Sequence, residues 1–140
     1  MANATAAINR TWRDSKSLLT RTGVYADQNL ALYQGTFVGL NAQGEVINGV
    51  ATAIRGLGFV YQDVAAAATP TQSVTVDFNM EVDLYIPDAD ATYIGATVYA
   101  TDNQTFTISG AGPNTCLVGQ IVQPVNLTDK IFTVFVTCKA

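Results

Sequence analysis

The chain reads as an all-β domain, a compact antiparallel β-barrel or β-sandwich with an extended N-terminal arm and at most short helical turns. Three observations point there. The first is the stretch Ser73 to Ile86, where Val74, Val76, Phe78, Met80, Val82, Leu84 and Ile86 alternate without a miss against Ser73, Thr75, Asp77, Asn79, Glu81, Asp83 and Tyr85. Period two puts one set on each side of an extended chain, whereas a helix would scatter the apolar residues and leave carboxylates inside. The second is composition: charged residues make up 13%, and Thr, Val, Ala and Gly are prominent, which is the vocabulary of strands and turns. The third is punctuation, since the apolar runs are short, are closed by Gly, Asn, Asp or Pro, and nowhere read as a long helix. At about 3.3 Å per residue the alternating run would be about 46 Å long, against a radius of gyration of about 14 Å for a compact domain of this length. It must bend, break or reach beyond its own subunit. Its polar side reads as a solvated face that also discourages edge pairing.

Residues 1–27 carry no clean periodicity. Ile8, Trp12, Leu18 and Leu19 do not line one face, and Ser15 to Leu19 offers at most a turn of helix. They read as an arm ahead of a single β domain, 28–140. A frayed terminus is one reading of it. Trp12 between Arg10 and Arg13 supports another, because Trp and Arg are the commonest anchors at protein interfaces, where truncating one costs about 2 kcal/mol or more.

Strands are expected at Leu30–Tyr33, at Thr36–Leu40 and, after a turn at Asn41-Ala42-Gln43-Gly44, at Glu45–Ile47. Gly44 supplies the positive φ that closes such a hairpin. Ala53–Tyr61 follows, with Gly56 and Gly58 marking a bulge or the close approach of another backbone. Gln62–Gln72 is a surface loop. Beyond Ile86, Pro87-Asp88-Ala89-Asp90 stops the ladder, and Asp88 or Asp90 caps one short helical turn through Tyr93. The remaining strands are Thr97–Thr101, Gln104–Ile108 across a tight turn at Asp102-Asn103, Cys116–Val122 and Lys130–Cys138. An internal echo runs through them. Gly35 to Val38, a hairpin and then Gly56 to Val60 are answered by Gly95 to Val98, a hairpin and then Val118 to Val122. The pattern fits either two hairpin-plus-strand units facing each other or chance among glycine-punctuated strands.

At 140 residues the chain suits one domain able to bury about two-thirds of its unfolded surface. The net charge of −4 is uneven: Arg10, Arg13, Lys16 and Arg21 against Asp14 give the first 21 residues +3, and the remainder −7. An acidic body does not attract duplex DNA, so no nucleic-acid partner is expected. Cys116 and Cys138 have no metal-like spacing and the chain has no histidine, so neither a metal nor a cofactor is expected. Free thiols acting as core residues are favoured over a disulfide, since the start lacks the layout of a secretory signal and a reducing cytoplasm is expected. No apolar run approaches a membrane span.

Candidate chemistry is sparse. Asp77, Glu81 and Asp83 share one strand face, and Glu81 and Asp83 would stand about 7 Å apart, a separation a glycosidase pair tolerates. Tyr85 is the one aromatic in register with them. Asp88 and Asp90 lack the further acids of a calcium loop. No serine has a G-x-S-x-G setting, and neither glycine pattern opens a helix that could hold phosphate. An enzyme is not expected.

The series T-G-V-Y-A-D, L-A-L-Y-Q-G-T-F-V-G-L-N-A-Q-G-E-V, G-L-G-F-V-Y-Q-D-V, Y-I-G-A-T-V-Y-A-T-D-N-Q-T-F-T and C-L-V-G-Q-I-V resembles the small capsid decoration, or cement, proteins of tailed bacteriophages. Tyr33 to Val46 and Ile94 to Thr105 carry it most strongly, and it spans about Gly23 to Cys138. The resemblance implies a compact body of β-tulip-like form. It also implies a non-enzymatic virion protein, made in the cytoplasm of a bacterial host, that sits on the outer capsid surface as a homotrimer. Its partners would be the major capsid protein and itself. On that reading the arm, with Arg10, Trp12, Arg13, Leu18 and Leu19, is expected to dock on the capsid. The overlong strand, through Phe78, Met80, Val82 and Tyr85, is expected at the subunit interface. Another phage structural component (tail, neck or fibre) and a glycan-binding module are the alternatives.

Overall fold

The computed structural model describes residues 3–13, 19–27, 30–49, 53–66, 72–109 and 116–137, with the side chains of 13 and 19–24 outside that set. The strands are β1 (Trp12–Arg13), β2 (Leu19–Tyr25), β3 (Phe37–Leu40), β4 (Val46–Asn48), β5 (Arg55–Val60), β6 (Ser73–Phe78), β7 (Met80–Tyr85), β8 (Thr97–Ala100), β9 (Phe106–Thr107), β10 (Leu117–Asn126) and β11 (Ile131–Val136). They form two antiparallel sheets packed together. The first has the order β1-β7-β11-β10-β8-β9, the second β2-β6-β5-β3-β4. Among the described residues no helix is long and apolar enough to cross a membrane. The single helical element among the described residues is a 3-10 turn, Ala91–Tyr93, capped by Asp90, whose Oδ1 accepts the Thr92 N–H.

The alternating run breaks at Asn79, a non-glycine residue with φ of 64°. Asparagine tolerates that left-handed conformation better than a bulky residue. The break turns one long strand into two, β6 in the second sheet and β7 in the first, so the length problem is solved within the subunit. It also overturns the expectation of one dry side and one wet side. Met80, Val82, Leu84 and Ile86 enter the core between the sheets, with Phe37, Phe59, Phe106 and Phe132. Val74 and Val76 enter a different core, with Val38, Val46, Leu57 and Val60, closed over by Ala26, Leu32 and Val64. Asp77 stands opposite Phe59 on β5, whose ring lies in the inter-sheet core. It is therefore buried, at 7% exposure, and is not part of a solvated acidic face.

The internal echo is present in the register. Val38 pairs with Gly58 and Val98 with Gly119, each beside a bulge. The unit β4-β3-β5 at one end of the second sheet is matched by β9-β8-β10 at one end of the first. The two units touch where a Cβ on Gly56 would lie 1.9 Å from the Leu117 carbonyl oxygen, a spacing that leaves room only for glycine.

Several boundaries differ from the sequence reading. Leu30–Tyr33 is not a ladder strand: it makes one bridge, Leu32 to Val64, and serves as a cover for the second core. β10 runs on to Asn126, well past Val122. Residues 12–13 and 19–25, read as arm, add an edge strand to each sheet. Cys116 is buried in the inter-sheet core, as a small apolar residue would be. Cys138, and with it the question of pairing, lies outside the described residues.

Candidate functional site

The described residues 3–13 of the expected capsid-docking arm lie on the chain's own body. Asn3 and Ala4 bracket Asn103: the Asn103 N–H donates to Asn3 Oδ1 at 3.0 Å, and the Ala4 N–H donates to Asn103 Oδ1 at 2.7 Å. Asn103, fully buried, also donates from Nδ2 to Asn48 Oδ1 and accepts the Phe37 N–H on its carbonyl. Further along, the Ile8 N–H donates to the Gln34 carbonyl at 2.7 Å, and Arg10 Nε to the Gly35 carbonyl at 2.9 Å. Gly35 has φ of +79°, and a Cβ there would sit 2.0 Å from the Ile8 carbonyl oxygen. The body thus has a glycine where the arm crosses it.

Arg10 reaches an aromatic seat. Its guanidinium carbon lies 5.4 Å from the Phe59 ring centroid and 5.5 Å from that of Phe106, within cation–π range. Phe37 packs edge-on against Phe59 at 5.2 Å, and Trp12 against Phe59 at 5.7 Å. Burial pulls the Arg10 pKa down to about 10, and Nη2 is buried without a hydrogen-bond partner. Trp12 pairs with Val82 in register and keeps 40% exposure. Arg13 pairs with Glu81 on the backbone; its side chain and that of Leu19 are not described, and Leu18 lies outside the described residues.

The expected subunit-interface residues separate. Met80 and Val82 are buried in the chain's own core and cannot face a partner, because the break at Asn79 turns their side inward. Phe78 is half-buried against the same core, and Tyr85 is 57% exposed. Of the acidic row, Asp77 Oδ1 is buried without a partner and burial pushes its carboxyl above the usual range. Asp83 accepts the Thr133 hydroxyl at 2.8 Å. Asp90 is held below the usual range by the Thr92 hydroxyl and then by its N–H. Asp88 accepts from the Thr107 hydroxyl and the Ile108 N–H. The carboxylates do not converge on one cavity, and among the described residues no group of three or more His, Cys, Asp or Glu could hold a metal.

One continuous exposed stretch among the described residues was passed over in the sequence. Past Ile121 every residue of β10 and its turn through Asp129 is exposed, including Val122, Val125 and Leu127. Bulges interrupt the pairing with β11 at Val122 and at Val125. The stretch Val122 to Thr128, without charge or side-chain burial, leaves no periodic signal. A clue did exist, because residues 103–128 contain no Asp, Glu, Lys or Arg. Nearby, Pro87, Asp88, Thr101, Thr105, Phe106 and Thr107 line an open depression of about 320 Å³ whose exposed wall is mainly carbon. No protein-family model matches the chain, and no curated protein does.

Proposed function

We propose that this chain is a structural virion component, a decoration protein that sits as a trimer on the outside of an icosahedral phage head and ties together its major capsid protein. The observation that carries the reading is the resemblance at Tyr33 to Val46 and Ile94 to Thr105, because these two segments meet at Asn103, whose carbonyl takes the Phe37 N–H. Motifs that converge on an interior scaffold fit a protein whose task is to hold a shape. Several carboxylates are occupied in caps and turns. A rigid body repeated many times over a lattice converts weak contacts into a firm hold. With Arg10 and Trp12 used against Phe59, the capsid contact falls to other surfaces.

Mixing the purified full chain with expanded, undecorated heads of its own phage tests this. Binding that saturates at a copy number set by the head's symmetry is expected, together with greater resistance of the heads to heat. Failure to co-sediment with heads, or a copy number confined to one vertex, would overturn it; the latter would favour a neck or tail role.

A further inference from the structure

Asn48-Gly49 is the one Asn-Gly pair in the chain, and asparagine is a thermolabile residue for a chemical reason. The backbone nitrogen that follows it can attack its side-chain amide. Glycine in the next position leaves that nitrogen least shielded, because it has no Cβ and lets the backbone turn freely. The pair lies at the end of β4, where Asn48 stands opposite Val38 and is half-buried.

Both reacting groups are engaged. The Gly49 N–H donates to the Phe37 carbonyl at 2.8 Å, which holds the nucleophile. Asn48 Oδ1 accepts from Asn103 Nδ2 at 2.8 Å, which holds the amide it would attack. These two restraints are joined, since the Phe37 N–H donates to the Asn103 carbonyl at 2.9 Å. A circuit of hydrogen bonds therefore runs through Phe37, Asn103 and the Asn48-Gly49 pair. Packing adds to it: a Cβ on Gly49 would lie 3.0 Å from the Phe37 ring and carbonyl oxygen, so Gly49 has little room to turn. Asn103 is itself fixed from outside the circuit. Its Oδ1 accepts the Ala4 N–H, and its own N–H donates to Asn3 Oδ1. Asn3 and Ala4 belong to the N-terminal arm, so the arm holds the residue that holds Asn48.

We propose that Asn48 is a deamidation site that the N-terminal arm keeps closed through Asn103. When Asn3 and Ala4 lift, Asn103 loses both bonds to the arm and releases Asn48. Hydroxide takes the Gly49 amide proton, and the nitrogen attacks Asn48 Cγ. The N–Cγ bond forms and the Cγ–Nδ2 bond breaks, with loss of ammonia that takes its third proton from water. Water then opens the cyclic imide at either carbonyl, leaving aspartate or isoaspartate. Aspartate still accepts from Asn103 Nδ2. Isoaspartate routes the main chain through the side-chain carbon and adds a backbone atom, which puts Gly49 out of register with Phe37. Detachment of the arm is thereby recorded as a covalent change at the edge of the second sheet.

The test incubates full-length chains at mildly alkaline pH, follows the Asn48 peptide by mass spectrometry and labels isoaspartate enzymatically. Ala4→Pro removes one donor to Asn103, and Asn3→Ala, at an exposed position, removes one acceptor. Where opening is fast, the reaction rate follows the population of the open form. Each lost hydrogen bond should raise that population about fivefold, and loss of both about 30-fold. The wild type is expected to keep Asn48 over a period in which the urea-unfolded chain loses it, and either variant to convert about fivefold faster than the wild type. Val134→Ala weakens the inter-sheet core without touching this circuit and is expected to leave the rate at the wild-type value. A folded wild type that reacts as fast as the unfolded chain would show that Asn48 is not held. Arm variants that react at the wild-type rate would show that Asn103 holds Asn48 without the arm. Equal acceleration by Val134→Ala would mean that the site opens only when the whole domain unfolds. Each of these three results overturns the proposal.

Discussion

Replacing Gly35 by alanine asks whether the N-terminal arm belongs to the folded body. Two penalties separate cleanly. An L-residue held at the φ of +79° found there costs roughly 1 kcal/mol. The new Cβ would also lie 2.0 Å from the Ile8 carbonyl oxygen, so the arm must lift. Lifting breaks the Ile8–Gln34 and Arg10–Gly35 hydrogen bonds, about 1 kcal/mol each. It also withdraws Arg10 from two rings, each worth about 1–2 kcal/mol. Recovered hydration of Arg10 offsets about 3 kcal/mol of this, the equivalent of the fall of its pKa to about 10. The net arm contribution is about 2 kcal/mol, so Gly35→Ala should cost about 3 kcal/mol in the full chain. In a chain beginning at Thr11 it should cost only the backbone part, about 1 kcal/mol. Urea unfolding followed by circular dichroism measures both. Trp12, the sole tryptophan, reports the arm's detachment by fluorescence. Equal costs in the two chains would refute the reasoning, because they would mean that the arm does not rest on Gly35.

Two further substitutions test the interior. Asp77 has its carboxyl pushed up by burial, so its folded pKa lies above the unfolded value of about 3.9. Below that value both states are neutral and nothing is lost; as pH rises through the folded pKa, the penalty of a buried charge grows to its full size. Asp77→Asn should therefore be more stable than the wild type at pH 7, with the gain shrinking toward pH 3; a gain that ignores pH in thermal melts would exclude Asp77 as its source. Asn103→Ala removes the acceptor of Ala4 and the donor to Asn48 at a fully buried position, for about 3 kcal/mol by urea unfolding. Part of that cost should vanish in the chain beginning at Thr11, and a cost unchanged by truncation would show that Asn103 does not bind the arm.

Local chemistry was legible in the sequence wherever one residue type decides a conformation. Gly44, with φ of +79°, closes the β3–β4 hairpin, Asp90 caps its turn and Gly56 marks the close approach to Leu117. The two hairpin-plus-strand units were visible because each needs glycine opposite valine. The exchange of sheets at Asn79 was not visible. Alternation says that neighbouring residues face opposite ways, and it is silent on which core each side meets, so it reads the same whether a strand continues or passes into the other sheet. Asp77 was misplaced for that reason. Arg10 was placed in a docking arm because charge normally marks the surface; only the three-dimensional meeting of Phe37, Phe59 and Phe106 creates a seat that holds a guanidinium.

The two-core arrangement limits where a partner can bind. The second sheet packs against the first on one side, and its other side is covered by Ala26, Leu32 and Val64. What remains is the outer face of the first sheet, where Tyr85 stands beside Ile131 and Ile131 beside Asn126, together with the β10 tip. Thr133 is fully buried at the middle of that face, its hydroxyl spent on Asp83, which makes the face stiff and leaves little to rearrange. A contact there would be made by exposed polar and aromatic side chains, each of modest strength, which suits many contacts repeated over a lattice. Substitutions that abolish head binding without lowering stability should therefore fall at Tyr85, Gln120, Gln123 and Asn126. Their absence from those positions in a binding screen would move the proposed capsid contact back to the arm.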